Sequence, residues 1–414
     1  MIGRAKGAGV AAVLAATLAV STASDLPAVA DTGPAIAGVA ALPPLGWNSW
    51  NTFGCNIDET VIEHAADAMV ASGMRDAGYD YVVVDDCWYS PQRAPDGQLQ
   101  ADPTRFPSGM AALADYVHAR GLKFGIYAGA SDRTCAQLGG AYPGSTGSEG
   151  YEAIDAATFA SWGVDYLKYD WCSTDSSTTR QQAAFTAMRN ALRATGRPIV
   201  YSINPNSGVA GTPPGATYDW SHIATMARTT NDVSPAWTTL WGEAGPLGVL
   251  DILDTHAPTA GGDEAGWWAD PDMLEVGVPG LTPAEERTQF ATWAMMSAPL
   301  IAGNDLDDMS AATRAVLTNP RVLAVDQDTA ARPPRSLPND PQIRVKALAD
   351  GSIAVSFTNT ADSARQMTIT ATQIGLPSYV VEDLWTGTRR DGAGALSIDV
   401  APHDTAIVRI APHS

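Results

Sequence analysis

The 414-residue sequence has little positive charge: 25 Lys and Arg stand against 45 Asp and Glu, for a formal net charge of −20. Proteins that bind nucleic acid need Lys and Arg to contact the phosphates, and no basic run of residues appears here. The same negative charge disfavours an anionic membrane surface. The composition therefore predicts no nucleic-acid partner and no membrane partner, and it leaves the oligomeric state open.

Motifs of several enzyme classes and metal sites are also missing. No G-x-G-x-x-G follows a strand pattern, which argues against a dinucleotide site, and no G-x-S-x-G elbow of a serine hydrolase occurs. The six His are scattered, with no H-E-x-x-H, and no C-x-x-C or Cys/His cluster has zinc spacing. We therefore expect neither a metal nor a cofactor.

Long apolar runs are absent except near the N-terminus, where Gly7 to Val20 is too short for a membrane span. Arg4 and Lys6 precede this run, and Ala28-Val29-Ala30 is a small-residue cleavage site. Residues 1–30 thus have the pattern of a secretory signal peptide. We predict a secreted, extracellular product after cleavage near Ala30.

Cysteine is scarce, with only Cys55, Cys87, Cys135 and Cys172. An even number of cysteines in an oxidising compartment predicts two disulfides. Three pairings are possible, and the spacing alone does not choose among them.

What the sequence does contain is an alternation of helix and strand patterns from residue 42 to residue 331. Helical patterns and Gly residues precede β-rich runs at 81–84, 123–127, 164–169 and 198–202. Capping boxes predict helix starts at Thr60 with Glu63, and at Thr282 with Glu285 behind a Pro at the first helical position. The length and repetition favour an α/β fold of the (β/α)8 TIM-barrel type over an open doubly wound sheet.

The composition changes at Pro333-Pro334. Short β-rich runs follow, at 343–346, 353–358, 367–370, 379–384 and 406–410, and they predict an antiparallel β-sandwich. The expected organisation is a signal peptide (1–30), a short leader (31–41), a catalytic barrel (42–331) and a C-terminal sandwich (332–414). We expect the sandwich to be a structural domain packed on the barrel, with a carbohydrate-binding module as the alternative.

Several carboxylates lie at the carboxyl ends of predicted barrel strands. Asp85 and Asp86 end one strand, Asp170 ends another, and Asp232 follows a third. The strand ends of a parallel barrel share one mouth, where active sites form. Two carboxyl groups there can divide glycoside hydrolysis between a nucleophile and an acid/base. Any single Asp could instead be a helix N-cap, but four acids at three strand ends favour a sugar site.

The segment 78–88, Gly-Tyr-Asp-Tyr-Val-Val-Val-Asp-Asp-Cys-Trp, resembles the α-galactosidase signature of glycoside hydrolase family 27. The resemblance covers nearly the whole mature chain. Further family motifs occur on both sides of this segment and in the family's order, at 45–51, 105–110, 122–127, 166–172, 228–232, 270–274 and 298–306.

The resemblance implies an exo-α-galactosidase that acts on galactose-terminated oligosaccharides or polysaccharides. Asp170 matches the family's nucleophile and Asp232 its general acid/base, in a double displacement that retains the anomeric configuration. Lys168, two residues earlier on the same strand face, is expected to help keep Asp170 ionised. The acid must start protonated, so we expect surroundings at Asp232 that favour its neutral form.

Other residues match positions of the family's sugar site. Asp85 and Asp86 match residues that hold the 6- and 4-hydroxyls of galactose. Trp47 matches an aromatic wall, and Tyr127 a further lining residue. Arg228 matches a sugar contact, and the role of the position that Asp272 matches is less defined.

The resemblance also pairs the cysteines as Cys55–Cys87 and Cys135–Cys172. The second bridge would hold the loop beside Asp170 and give Cys172 a part in shaping the site. A free, nucleophilic Cys is the alternative.

One segment departs from the family. Many α-galactosidases carry Cys-Glu-Trp at the end of the fifth strand, where residues 201–207 here read Tyr-Ser-Ile-Asn-Pro-Asn-Ser. The small residues could admit an N-acetyl group at the sugar's 2-position. Asn204 or Asn206 could instead bond a 2-hydroxyl, and both could equally be turn residues beside Pro205.

Three alternatives to an α-galactosidase therefore stay open. They are an α-N-acetylgalactosaminidase, a β-L-arabinopyranosidase of the same family, and an inactive sugar-binding barrel. Keeping both Asp85 and Asp86 favours galactose over arabinopyranose, and keeping Asp170 and Asp232 argues against an inactive protein.

Overall fold

The computed structural model describes residues 35–209, 218–240, 245–255 and 266–413. The expected signal peptide and the first residues of the expected leader lie outside these ranges. Within them, no helix combines the length and the apolar character that crossing a membrane requires.

The first part of the chain forms an eight-stranded parallel sheet. Its strands are β1 (Leu45–Asn48), β2 (Tyr81–Val84), β3 (Lys123–Gly129), β4 (Tyr166–Asp170), β5 (Val200–Asn204), β6 (Met226–Arg228), β7 (Trp268–Asp270) and β8 (Leu300–Ala302). The α-helices are α1 (Trp50–Phe53), α2 (Glu59–Ala71), α3 (Gly109–His118), α4 (Cys135–Leu138), α5 (Glu152–Ser161), α6 (Thr178–Thr195), α7 (Val249–Thr255), α8 (Pro283–Met296), α9 (Ala311–Leu317) and α10 (Pro320–Asp326).

The sheet curls on itself. Its order is β7-β6-β5-β4-β3-β2-β1-β8, so β7 and β8 are the two edges. An isolated parallel bridge joins Leu274, just after β7, to Ala302 on β8, and the Leu274 N–H donates to the Ile301 carbonyl at 2.8 Å. These contacts bring the two edges together, and the expected TIM-barrel architecture is confirmed. The carboxyl ends of all eight strands therefore lie at one mouth.

One of the two predicted helix starts is wrong. The Thr282–Glu285 capping box forms as expected and opens α8. α2, however, begins at Glu59, and its N-cap is Asp58, whose carboxylate accepts a hydrogen bond from the Val61 N–H at 2.9 Å. Asp58 is as strong an N-cap as Thr and precedes Thr60, so Thr60 lies inside the helix.

The C-terminal part is an antiparallel β-structure, as expected. A six-stranded sheet of order β14-β13-β16-β11-β10-β9 is accompanied by the pair β12-β15. The strands are β9 (Arg335–Leu337), β10 (Asp340–Ala347), β11 (Ile353–Thr358), β12 (Arg365–Ile369), β13 (Ser378–Asp383), β14 (Arg389–Ala393), β15 (Leu396–Val400) and β16 (Thr405–Ala411), and a short helix α11 (Ala371–Ile374) follows β12.

Sequence reasoning missed three of these strands. β9 and β14 are short and largely exposed, with Arg335 at the start of one and Arg389-Arg390 at the start of the other. They lack the apolar run that marks a buried strand. β15 alternates apolar and polar residues, so the signal for it was present.

The sandwich packs on α8 and α10 of the barrel. Lys346 of β10 is fully buried, and its ammonium donates to the Ala294 carbonyl (3.3 Å), the Val325 carbonyl (2.9 Å) and Ser297 Oγ (2.5 Å). The two carbonyls lie near helix ends, where a cation is favourable. A polar anchor thus joins the two parts of the chain.

Candidate active site

A cavity of about 220 Å³ opens at the mouth of the barrel. Side chains from seven of the eight strand ends, or from the loops that follow them, reach it. The lining residues are Trp50, Asn51, Asp85, Asp86, Tyr127, Cys135, Lys168, Asp170, Asn204, Ser207, Arg228, Asp232, Val233, Pro246, Asp272 and Met273. The four carboxylates singled out from the sequence therefore lie in one cavity.

Asp85 follows β2 and is held by three donors. Its Oδ2 accepts hydrogen bonds from Lys168 Nζ at 2.7 Å and Asn48 Nδ2 at 2.6 Å. Its Oδ1 accepts one from the Asp86 N–H at 2.8 Å. Because Lys168 and Asn48 come from β4 and β1, neighbouring strands fix the orientation of this carboxylate.

Asp86 is held in the same way. The Cys87 N–H donates to its Oδ1 at 2.7 Å, the Tyr89 hydroxyl donates to the same oxygen, and the Ala136 N–H donates to Oδ2 at 2.8 Å. Burial raises the pKa of Asp86, and these hydrogen bonds oppose that shift. Sequence reasoning missed Tyr89, which lies one residue beyond the signature segment 78–88.

Asp170 is the last residue of β4 and is only 6% exposed. Its Oδ1 makes no hydrogen bond among the described residues, so this oxygen is unengaged. Burial raises the pKa of Asp170 to about 7, while the charges of Lys168 and Arg228 lower it. Lys168 thus acts in the predicted direction, but desolvation outweighs it.

The structure contains two disulfides, Cys55–Cys87 and Cys135–Cys172, which are the pairs that the resemblance implied. The Sγ atoms of Cys135 and Cys172 and a carboxylate oxygen of Asp170 all lie within 4.8 Å of one another. Cys135 lines the cavity, whereas Cys172 lies behind the wall. Cys172 therefore shapes the site through the bridge rather than by lining it.

Arg228 joins two carboxylates on the far side of the cavity. Its Nη2 lies 3.2 Å from Asp232 Oδ1 and 2.9 Å from Asp272 Oδ2. Asp272 Oδ2 also accepts a hydrogen bond from the Val233 N–H at 2.7 Å. Asp272 therefore orients both Arg228 and the backbone that follows Asp232.

The surroundings of Asp232 differ from the expectation. A proton donor is expected in enclosed surroundings, but the Asp232 side chain is 69% exposed and lies beside the Arg228 cation. The difference arises because Asp232 follows β6 on a loop, whereas Asp170 ends a strand inside the barrel.

The structure separates the roles of two asparagines in the divergent segment. Asn204 ends β5, lines the cavity and is 3% exposed, and its Oδ1 makes no hydrogen bond among the described residues. Asn206 has a positive φ of 61°, and its Oδ1 accepts a hydrogen bond from Gln181 Nε2 at 2.5 Å. Asn206 is thus part of the turn, and Asn204 is the residue that faces the cavity.

The prediction that Trp47 forms the aromatic wall is wrong. Trp47 is fully buried outside the cavity, where its indole N–H donates to the Asn304 carbonyl at 2.8 Å. Trp50 lines the cavity instead. Since β1 ends at Asn48 and α1 begins at Trp50, the chain turns at this point and directs the second Trp into the mouth.

This assignment predicts opposite effects for the two tryptophans. For the galactoside substrate expected from the sequence, Trp50→Ala should raise KM about tenfold, because aromatic surface that lines the cavity is lost, and it should leave the melting temperature nearly unchanged. Trp47→Phe, a conservative core change, should lower stability and leave KM within about twofold. Steady-state kinetics and thermal unfolding measure both effects. A raised KM only in the Trp47 variant would contradict the assignment.

Two family models match the chain, one over the barrel and one over the sandwich. Residues 42–328 match the family model described as "Alpha galactosidase A", and residues 338–410 match "Alpha galactosidase C-terminal beta sandwich domain". The chain is 41% identical over 392 residues to Alpha-galactosidase A of Cellvibrio japonicus, covering 90% of this chain and 93% of that protein.

Solved structures show the same similarity. α-Galactosidase I of Mortierella vinacea superposes with a TM-score of 0.81 at 34% identity, over 91% of this chain and 98% of that one. The Saccharomyces cerevisiae α-galactosidase with raffinose superposes with a TM-score of 0.80 at 28% identity, over 92% of this chain and all of that one.

Proposed function

This chain belongs to the α-galactosidase family of glycoside hydrolases, and from that premise we propose that it is a secreted, retaining exo-α-galactosidase. Its substrates are oligosaccharides or polysaccharides that end in α-linked galactose. The observation that carries the proposal is the cavity at the barrel mouth, which collects Asp85, Asp86, Asp170 and Asp232.

In the first step, Asp170 attacks the anomeric carbon and the bond to the leaving oxygen breaks. The unengaged Oδ1 of Asp170 suits this role, because no hydrogen bond must break before it attacks. Asp232 donates a proton to the leaving oxygen as that bond breaks. The product of this step is a covalent galactosyl-enzyme ester with inverted configuration.

In the second step, Asp232 removes a proton from water, and the water oxygen attacks the same carbon. The ester bond to Asp170 breaks, and the second inversion restores the original configuration. The exposure of Asp232 supports this step, since water and the leaving group must both reach its carboxylate.

The positive charges of Lys168 and Arg228 favour the ionised nucleophile. Both charges lower the pKa of Asp170 against the effect of burial. Lys168 also pairs with Asp85 at 2.7 Å, so one cation serves the nucleophile and a sugar-binding carboxylate. Asp85 and Asp86 are then fixed acceptors for the hydroxyls of galactose, and Trp50 packs against the ring.

Secretion is supported by the basic residues, apolar run and small-residue site within residues 1–30, together with the two disulfides. The domain limits proposed from the sequence, 42–331 and 332–414, are kept for the mature protein.

A panel of nitrophenyl glycosides tests the substrate. We expect kcat/KM for the α-galactoside to exceed that for the α-N-acetylgalactosaminide and for the β-L-arabinopyranoside by at least about tenfold. Asn204 Oδ1 is an acceptor for the 2-hydroxyl of galactose, and the presence of both Asp85 and Asp86 in the cavity supports galactose over arabinopyranose, which lacks the 6-hydroxymethyl group. A preference for either of the other two glycosides would overturn the substrate assignment.

Variants of the two asparagines refine this test. Asn204→Ala should lower kcat/KM for the α-galactoside about three- to tenfold, as expected for one neutral hydrogen bond. Asn206→Gly is the matched control, because glycine tolerates the positive φ and the side-chain contact with Gln181 is lost away from the cavity. It should lower the melting temperature and leave the substrate preference unchanged.

A further inference from the structure

Asp232 depends on its own backbone for its position. Its side chain is 69% exposed, and the side chain that contacts it among the described residues is Arg228, at 3.2 Å. A proton donor must stand within hydrogen-bond reach of the leaving oxygen. Whatever holds the main chain after Asp232 therefore controls the distance between that carboxylate and the substrate.

The main chain from Asp232 to Trp237 is hydrogen-bonded to residues 247–250, which lead into the first turn of α7. The Leu247 N–H donates to the Asp232 carbonyl at 2.7 Å, and the Leu250 N–H donates to the Trp237 carbonyl at 2.8 Å. Between them, the Val249 N–H donates to the Ala236 carbonyl at 2.9 Å. Gly248 leaves no room for a side chain there, since a Cβ would come within 2.5 Å of the Trp237 carbonyl. The segment from Asp232 to Trp237 is thus a rigid arm.

The far end of this arm contacts the C-terminal sandwich. The indole of Trp237 stacks on the ring of His403, with centroids 4.7 Å apart and planes inclined by 16°. His403 lies just before β16, more than 160 residues beyond Trp237 in sequence.

His403 has polar contacts at both ring nitrogens and at its carbonyl oxygen. Its Nδ1 lies 2.8 Å from Glu285 Oε1 of α8, and its Nε2 lies 3.0 Å from Asp362 Oδ1. Its carbonyl accepts a hydrogen bond from Thr288 Oγ1 at 2.7 Å. Contacts to both ring nitrogens and to the carbonyl fix the orientation of the imidazole against the indole of Trp237.

We infer that the sandwich domain positions the acid/base: His403 fixes Trp237, and the rigid arm passes that constraint to Asp232. This inference rests on the proposed role of Asp232. His403 and Trp237 are positioning residues, since neither lines the cavity. The sandwich domain thereby contributes to catalysis without contacting the sugar.

The test compares two substrates that differ in their need for a proton. Methyl α-galactoside has a poor leaving group that must be protonated as it departs. 4-Nitrophenyl α-galactoside instead releases 4-nitrophenolate, which is a stable anion without a proton. Trp237→Ala and His403→Ala should each lower kcat/KM for the methyl galactoside about ten- to a hundredfold, as misplacement of a catalytic group by about 1 Å does. The value for the nitrophenyl galactoside should change less than about threefold. Equal losses on both substrates would overturn the inference, because they indicate general damage to the fold.

A double variant and a matched control sharpen the result. If the two residues act through one contact, Trp237→Ala with His403→Ala together should lose no more than either alone. Multiplied losses would contradict the inference. His413→Ala, the same change in the same domain near the end of β16, should leave both substrates unaffected. If His403→Ala does not fold, comparing Trp237→Phe with Trp237→Ala tests the inference instead. Phe can still stack on His403, so Trp237→Phe should keep at least about half of the wild-type kcat/KM for methyl α-galactoside.

The outcome also separates this inference from the proposed function. If Asp232 is the acid/base, Asp232→Ala loses more activity on methyl α-galactoside than on the nitrophenyl substrate, whatever the result for Trp237→Ala and His403→Ala. Dependence in Asp232→Ala without dependence in Trp237→Ala overturns only the positioning by the sandwich. Absence of dependence in Asp232→Ala overturns the proposed mechanism.

Discussion

Replacing Asp170 by Ala is expected to lower kcat/KM for 4-nitrophenyl α-galactoside by about 10⁴-fold or more, because no other group can form the covalent intermediate. The side chain is buried at the end of β4 and lines the cavity, and its Oδ1 makes no hydrogen bond among the described residues. Initial rates of nitrophenol release measure the effect. The variant should still bind galactose, detected as a rise in melting temperature, since Asp85 and Asp86 remain.

The product formed with an added nucleophile tests the role of Asp170 more sharply. In Asp170→Gly, azide can enter the space left by the side chain and attack the anomeric carbon from the same face. One inversion then yields β-galactosyl azide, as the carbon–nitrogen bond forms and the leaving oxygen departs. Asp115→Ala, an exposed acid on α3, is the control and should keep full activity. Turnover within about tenfold of the wild type in Asp170→Ala would be incompatible with a nucleophile at this position.

Replacing Asp232 by Ala should have the second largest effect, and its size should depend on the leaving group. For methyl α-galactoside, kcat/KM should fall about 10²- to 10⁴-fold, which is the contribution of general acid catalysis. For 4-nitrophenyl α-galactoside the fall should be much smaller, because that leaving group needs little help from a proton. The galactosyl-enzyme then accumulates, since no base activates water.

Azide distinguishes the two aspartates by stereochemistry. In Asp232→Ala the nucleophile Asp170 is intact, so azide attacks the covalent intermediate and the second inversion gives α-galactosyl azide. It should also raise kcat on the nitrophenyl substrate, because an anion needs no general base. The α product from one variant and the β product from the other would assign both roles. The same product from both, or no azide product from either, would contradict the assignment of the two roles.

Local sequence patterns predicted much of the barrel because they report on burial along one element. The β-branched run at β2 and the capping box of α8 need no knowledge of the rest of the chain. The Thr60 capping box failed where two capping residues competed within three positions. In the sandwich, β9 and β14 were missed because edge strands with exposed charges carry no apolar pattern.

The candidate site could be predicted in part for a related reason. Acids that follow strands can be found in a sequence, and the parallel barrel then brings Asp85, Asp170 and Asp232 to one mouth. The side-chain directions beyond a strand end could not be found this way. Trp47 and Trp50 are three residues apart, and only the turn between β1 and α1 decides which of them reaches the cavity.

The sequence by itself determined the architecture class, the family resemblance and the positions of the carboxylates at strand ends, because each of these is a local pattern. The tertiary structure alone decided which asparagine faces the cavity, how far burial raises the pKa of Asp170, and how exposed Asp232 is. It alone also brought His403 onto Trp237. Desolvation and contacts across 160 residues depend on what surrounds a side chain, and no local pattern contains that information.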